Sequence, residues 1–227
     1  MSAPARSGVV VAIDGPSGSG KSSTSRGVAT RLGLRYLDTG AMYRALTWWM
    51  LRHDVDVADP GCVAARCGEP AIVAGTDPTA PTITVDGADV ATAIRTPEVT
   101  GAVSEVSAVP EVRARLLRLQ REVIAEALQG PGIVVEGRDI GATVAPDADV
   151  KVYLTADAAA RARRRSAEEG GSDVTATETS LLARDRIDST RAASPLTMAD
   201  GAVHLDTTPY PLDEVVDRIV GMVEAAS

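Results

Sequence analysis

The run Gly15-Pro16-Ser17-Gly18-Ser19-Gly20-Lys21-Ser22-Ser23 has the residue types and spacing of a phosphate-binding loop, G-x4-G-K-S in full. Its glycines let the backbone curl so that N–H groups point inward at a helix start, where the dipole also favours an anion. Lys21 is placed to bridge the β and γ phosphates of a nucleoside triphosphate, and the Ser22 hydroxyl to ligate Mg2+. All nine residues are therefore expected to hold the nucleotide, ATP where the chain is a kinase or ATPase. Where the last phosphate goes stays open, because switch proteins, motor ATPases and kinases all use such a loop. A guanine-reading N-K-x-D segment is missing, since neither lysine follows an asparagine. An apolar strand ending in a carboxylate does exist, Ile133 to Glu136, but it runs on as Gly137-Arg138-Asp139.

Three further segments offer groups suited to a second phosphate or a polar base. In Asp38-Thr39-Gly40-Ala41-Met42-Tyr43-Arg44, a helix starting near Gly40 would put the Thr39 hydroxyl at its N-cap and Arg44 one turn in. A capped helix with a surface arginine would read the same way. Glu136-Gly137-Arg138-Asp139 follows a strand, and the carboxyl ends of strands line the ligand crevice of parallel α/β sheets. A surface ion pair is the alternative. On a helix, Arg184, Asp188 and Arg191 fall at i, i+4 and i+7, so one face carries Arg, Asp, Arg while Arg186 points elsewhere. Such a face is either a solvated ladder or a clamp for a phosphate and a ribose hydroxyl. Arg161, Arg163, Arg164 and Arg165 crowd the segment before the Gly/Ser-rich stretch 168–177. Acidic flanks and overall charge favour a mobile lid with phosphate-clamping arginines over a nucleic-acid patch.

These groups need a framework to hold them. With 227 residues, 44% hydrophobic and 24% charged, the chain suits one α/β domain with attached segments. Phe is absent, so Val, Ile, Leu and Ala must fill the core. The net charge of −8 argues against a generic nucleic-acid binder. Cys62 and Cys67 are too few for a disulfide framework, and C-x4-C without partners is a poor zinc site. No apolar run approaches the ~20 residues that span a bilayer. The chain thus reads as soluble and cytoplasmic, without nucleic-acid or membrane partners.

Val9 to Ile13 is the continuous apolar run of a strand buried on both faces. Further strands are expected at Leu34 to Leu37, Ile133 to Val135, Val150 to Leu154 and Ala202 to Leu205. Helices are expected from Ser22 to Leu32, Ala41 to Arg52, Glu111 to Leu128, Ala158 to Glu169, Thr179 to Thr190 and Leu212 to Ala225. The alternation predicts a P-loop NTPase-type parallel sheet flanked by helices. Between about Pro60 and Thr100 the pattern shifts to short Val/Ile/Thr runs around Asp86-Gly87, predicting a small antiparallel insert.

Taken in order, GPSGSGKSS, LDTGAMYR, IRTPEV, VSEVSAVPEVR, EGRDIG and RDRIDSTRAASPL resemble bacterial cytidylate kinases, from Val9 to about Val216. Thr39 stands where many members have Ser, and Glu136 where they have Asp. The resemblance implies one kinase domain over 1–227, with an insert for the nucleoside monophosphate at about 60–105 and a lid at about 158–178. It implies Mg-dependent phosphoryl transfer from ATP to CMP, and to dCMP, by a monomer. Thr39, Arg44, Arg138 and Arg191 would surround the acceptor phosphate. Ser104, Arg113 and Asp139 would read the base, and Arg184 with Asp188 the sugar. Lys21, Arg138 and Arg191, with Arg161, Arg164 and Arg165 of the lid, would stabilise the transferring group. Kinases for UMP, dTMP or a metabolite hydroxyl are the nearest alternatives, and a nucleic-acid-stimulated ATPase a more distant one.

Overall fold

The run Val9–Asp14 forms β1 at the centre of a five-stranded sheet. The structure, a computed structural model, describes residues 8–168, 170–171, 173–190 and 196–226. The other strands are β2 (Arg35–Asp38), β6 (Gly132–Gly137), β7 (Val150–Thr155) and β8 (Val203–Asp206), in the order β2-β6-β1-β7-β8. All four pairings are parallel, as the alternation of strands and helices predicts.

Because side chains alternate across a strand, β1 divides the interior in two. Val10 and Ala12 face one core with Leu37, Ile133 and Val135. Helices α2 (Thr39–Arg52), α4 (Pro97–Ala108) and α5 (Pro110–Ala127) close it with Met42, Leu46, Val106 and Leu116. Val11 and Ile13 face the other core with Val134, covered by α1 (Lys21–Leu32) and α8 (Leu212–Ala226) through Val28, Val216 and Ile219. Each such side chain, fully buried, contributes about 1.5–3 kcal/mol. The scarcity of aromatics is met by branched aliphatics.

The segment after α2 departs from expectation. A three-stranded antiparallel sheet is present, β3 (Ile72–Ala74), β4 (Ile83–Val85) and β5 (Ala88–Asp89), but helices bracket it. Before it lies α3 (Pro60–Arg66), capped by Asp59, whose carboxylate accepts from Gly61 N at 2.8 Å. After it comes α4, with Thr96 as N-cap. Both helices carry Pro in their first turn, where the missing N–H costs nothing. Helix α7 (Val174–Thr190) also starts before the expected Thr179, because Asp173 accepts from Thr175 N and Ala176 N. Helix α6 (Ala158–Glu168) precedes it.

Register decides what the strand ends present. Asp38, Glu136 and Ile13 stand level across β2, β6 and β1, and Gly137, Asp14 and Tyr153 stand level one residue on. The phosphate-binding loop, the Asp38-Thr39 corner and Glu136 to Asp139 therefore leave the sheet side by side. Among the described residues no helix is long and apolar enough to cross a membrane.

Candidate functional site

The loop between β1 and α1 has its shape imposed from behind. Gly15, Gly18 and Gly20 all have positive φ. A Cβ on Gly15 would lie 2.1 Å from the Leu154 carbonyl oxygen, so no other residue fits there. Lys21 turns back over the loop and donates Nζ to Pro16 O at 2.7 Å. It is buried, and burial with the nearby Arg138 guanidinium pulls its pKa down towards neutrality. An ammonium so poorly hydrated has much to gain from a polyphosphate.

In front of the loop lies a cavity of ≈ 300 Å³. Ser17, Gly18, Gly20, Lys21, Ser22 and Ser23 line it, while Gly15, Pro16 and Ser19 do not. On the far side it is lined by Thr39, Arg44, Ser104, Arg113, Arg138, Asp139, Arg184 and Asp188. Arg191 lies outside the described residues. Groups drawn from the loop after β1 and from α1, α2, α4, α5, β6 and α7 thus share one space.

Several of these side chains have a fixed neighbour. The Thr39 hydroxyl donates to Glu136 O at 2.7 Å. Arg113 donates Nη2 to Asp139 Oδ2 at 2.6 Å, a pair buried on both sides, and Nη1 to Ser107 O at 3.3 Å. The guanidinium of Arg113 also sits 5.8 Å from the Tyr43 ring centre. Arg138 donates Nε to Asp188 Oδ2 at 2.9 Å. Arg184 keeps its Nε buried without a hydrogen-bond partner among the described residues. Burial, reinforced by Arg44 and Arg138, brings the Arg184 pKa down to about 10. Arg44 is lowered too, by burial first. Guanidiniums gathered this closely repel one another until an anion arrives.

Ser22 donates to Glu136 Oε2 at 3.1 Å, and Glu136 also accepts from the Tyr36 hydroxyl. Burial and the neighbouring Asp38 carboxylate push the Glu136 pKa up. A hydroxyl and carboxylates at the loop's end are the hard oxygen donors that Mg2+ takes. Among the described residues no cluster of three His, Cys, Asp or Glu forms a metal site by itself. A cation here would lean on nucleotide phosphates and water, and the donor set fits that use.

The arginines of α6 separate by helical position. Arg165 lines the cavity, and Arg163 is exposed. Arg161 and Arg164 do not line it. Arg161 donates to Ser17 O at 3.0 Å, and Arg164 to Thr207 Oγ1 at 2.9 Å and Thr207 O at 2.8 Å. Thr207 Oγ1 lies 3.2 Å from Ser19 O. Both arginines therefore brace the loop from outside.

Several lining residues were missed in the sequence. Asp38, Tyr43, Arg95 and Ser107 belong to the cavity wall, and so does Arg26, which donates to Pro78 O at 2.7 Å. Asp38 and Tyr43 flank the chosen Thr39 and Arg44, so a search one residue and one turn away would have found them. Arg95 precedes the Thr96-Pro97 helix start, a signal left unread.

A model of the family described as "Cytidylate kinase" matches residues 11–225. A Streptomyces avermitilis protein named "Cytidylate kinase" is 60% identical over 216 residues, covering 95% of this chain and 93% of its own. One from Rhodococcus opacus, with the same name, is 53% identical over 226 residues, covering 97% of each. Among solved structures, TT1252 from Thermus thermophilus matches with TM-score 0.50 at 20% identity, covering 96% of this chain and 97% of that one. An uncharacterized protein from Eubacterium ventriosum matches with TM-score 0.54 at 12% identity, covering 96% and 98%. These two likenesses concern the fold alone.

Proposed function

The chain belongs to the cytidylate kinase family, and from that membership we propose that it transfers the γ-phosphoryl group of ATP directly to CMP. The products are ADP and CDP, dCMP is a second acceptor, and Mg2+ accompanies the donor. One observation carries this reading: the phosphate loop and the buried Arg113–Asp139 pair open onto the same cavity. A water-activating ATPase has no use for the second feature.

Cytosine presents an N4 amino donor beside acceptors at N3 and O2. Asp139 accepts from N4, Arg113 donates towards N3 and O2, and Ser104 completes the edge. Uracil turns a lone pair towards Asp139 instead. Thr39, Arg44 and Arg138, with Arg191, take the acceptor phosphate, while Arg184 and Asp188 take the sugar hydroxyls and Arg184 also reaches the phosphate. The acceptor phosphate is already ionised, so the reaction needs no general base; it needs two anions held in line. Lys21 and Arg165 face the transferring group from the donor and lid sides. Arg161 and Arg164 serve that step through the loop they brace. Mg2+, when bound at Ser22 beside Glu136, neutralises charge on the donor phosphates.

The test is a panel of CMP, dCMP, UMP, dTMP and metabolite alcohols with ATP and Mg2+, read as product nucleotide. CDP formation with CMP or dCMP preferred is expected. Absence of CDP, or steady ATP hydrolysis without acceptor that rises with nucleic acid, overturns the reading.

A further inference from the structure

The donor loop is gripped at Ser17, which is buried, by two side chains from different helices. Ser17 O accepts from Arg161 Nη1 at 3.0 Å, and Ser17 N donates to Asp185 Oδ1 at 3.4 Å. Arg161 and Asp185 also bond to each other at 2.5 Å, with side chains only 7% and 17% exposed. The remaining Nε of Arg161 goes to Ala156 O at 3.1 Å. A Cβ on the next loop residue, Gly18, would lie 3.1 Å from Arg161 Cβ, so loop and α6 are in contact here. Surface ion pairs of flexible side chains contribute little. This one is buried and shares both partners with the backbone of a phosphate-binding turn.

Asp185 occupies a particular place on α7. Arg184 precedes it and Asp188 follows one turn later, and both line the cavity. Asp188 is bonded to Arg138 at the end of β6. Helix geometry fixes these three residues relative to one another, because a helix segment this short moves as a rigid body. One turn of α7 therefore touches the donor loop through Asp185 and the acceptor side through its two neighbours.

We propose that Asp185 is a positioning residue which, with Arg161, couples occupancy of the donor loop to the placement of Arg184 and Asp188. The proposal rests on the kinase reading above. Phosphates entering the loop settle against N–H groups adjoining Ser17 and fix its peptide. The Arg161–Asp185 pair carries that fixation to α7, and Arg161 neutralises the carboxylate that would otherwise repel the incoming anion. Donor and acceptor should then each bind more tightly in the presence of the other, by the same factor.

The experiment is calorimetric titration of CMP into the full chain, with and without saturating Mg2+ and a non-hydrolysable ATP analogue. The wild type should show about tenfold enhancement of CMP affinity by the analogue, within the usual range of coupling between sites. Asp185→Asn should reduce that factor to below about twofold, Arg161→Met should do the same, and the double variant should lose no more. Asp185→Glu, which keeps the charge, should recover part of it. A purely structural role would lower Tm and leave the ratio alone. If Asp185→Asn does not fold, Arg161→Lys, which loses the guanidinium fork, must still lower the ratio. An unchanged ratio in the folded variants, or a wild type in which CMP and the analogue bind independently, overturns the coupling and leaves the kinase reading standing. A wild type that binds the analogue but no CMP overturns the kinase reading itself, and the proposal with it.

Discussion

Arg138 and Asp188, fifty residues apart, meet in a 2.9 Å ion pair that ties the end of β6 to α7. Arg138 is assigned to the acceptor phosphate and Asp188 to the sugar, so in the free protein the two subsites hold each other. A nucleotide must share the carboxylate or take it over.

That relationship sets the first prediction. Asp188→Ala removes a charge-assisted contact worth about 1.5–3 kcal/mol, roughly 10- to 150-fold in kcat/KM. If Asp188 reads the sugar, the loss differs between CMP and dCMP, because only one of them offers a 2′ hydroxyl. Steady-state kinetics with both acceptors decide it. Equal losses would confine Asp188 to holding Arg138.

The base pair of residues gives the second. Asp139 lies 2.6 Å from Arg113 in a buried site, so its oxygen positions are fixed before the base arrives. Asp139→Asn puts an amide where cytosine needs an acceptor and uracil a donor. The CMP/UMP ratio of kcat/KM should fall by about tenfold, within the 1–3 kcal/mol that such a contact carries. A ratio that does not move removes Asp139 from base recognition.

How much of this was legible depends on how far apart the partners lie. The phosphate loop could be read because its function is local: spacing of Gly, Lys and Ser within nine residues. The parallel sheet could be read because strand and helix periods alternate. The contacts of Arg161 and Arg164 could not. Four arginines close together look like one cationic lid, but the helical period turns two of them towards Ser17 and Thr207, which lie 144 and 43 residues away. Arg113 and Asp139 are 26 residues apart: Asp139 stood out at a strand end, but Arg113 and its link to Asp139 only through the family resemblance. Asp59-Pro60 and Thr96-Pro97 mark the starts of α3 and α4, a cap signal that the Val/Ile/Thr pattern of this segment does not carry.

Crowded arginines yield the third prediction. Arg184 lies among Arg44, Arg138 and Arg165, and its pKa of about 10 reflects burial and that repulsion. Removing one member should relieve the free protein but weaken anion binding. Arg184→Met is expected to melt at or above the wild-type Tm without ligand. With saturating pyrophosphate, the wild type should gain about 2.7 kcal/mol at a hundredfold excess over Kd, and the variant less than half of that. For a chain of this size each kcal/mol is about 2–4 °C. Scanning fluorimetry with and without pyrophosphate reads both, and a variant stabilised as much as the wild type would place Arg184 outside the anion site.

Asp14 supplies the last prediction, through stability rather than catalysis. It ends β1, is 3% exposed, and its two oxygens accept from Ile140 N and Gly141 N, each at 2.8 Å. Those amides favour the carboxylate, but burial outweighs them and raises the pKa from 3.8 to about 6. The folded chain therefore binds this proton more tightly than the unfolded chain does. The stability gained that way is complete below the unfolded value and is lost as pH rises through about 6. Asp14→Asn cannot titrate, so the wild-type stability relative to it should fall by roughly 2 kcal/mol between about pH 4 and pH 7. Urea unfolding of both proteins across that range measures the difference, and shifts common to other groups cancel. A difference independent of pH would mean that the Ile140 and Gly141 amides hold Asp14 ionised throughout, and that this strand end stores no proton.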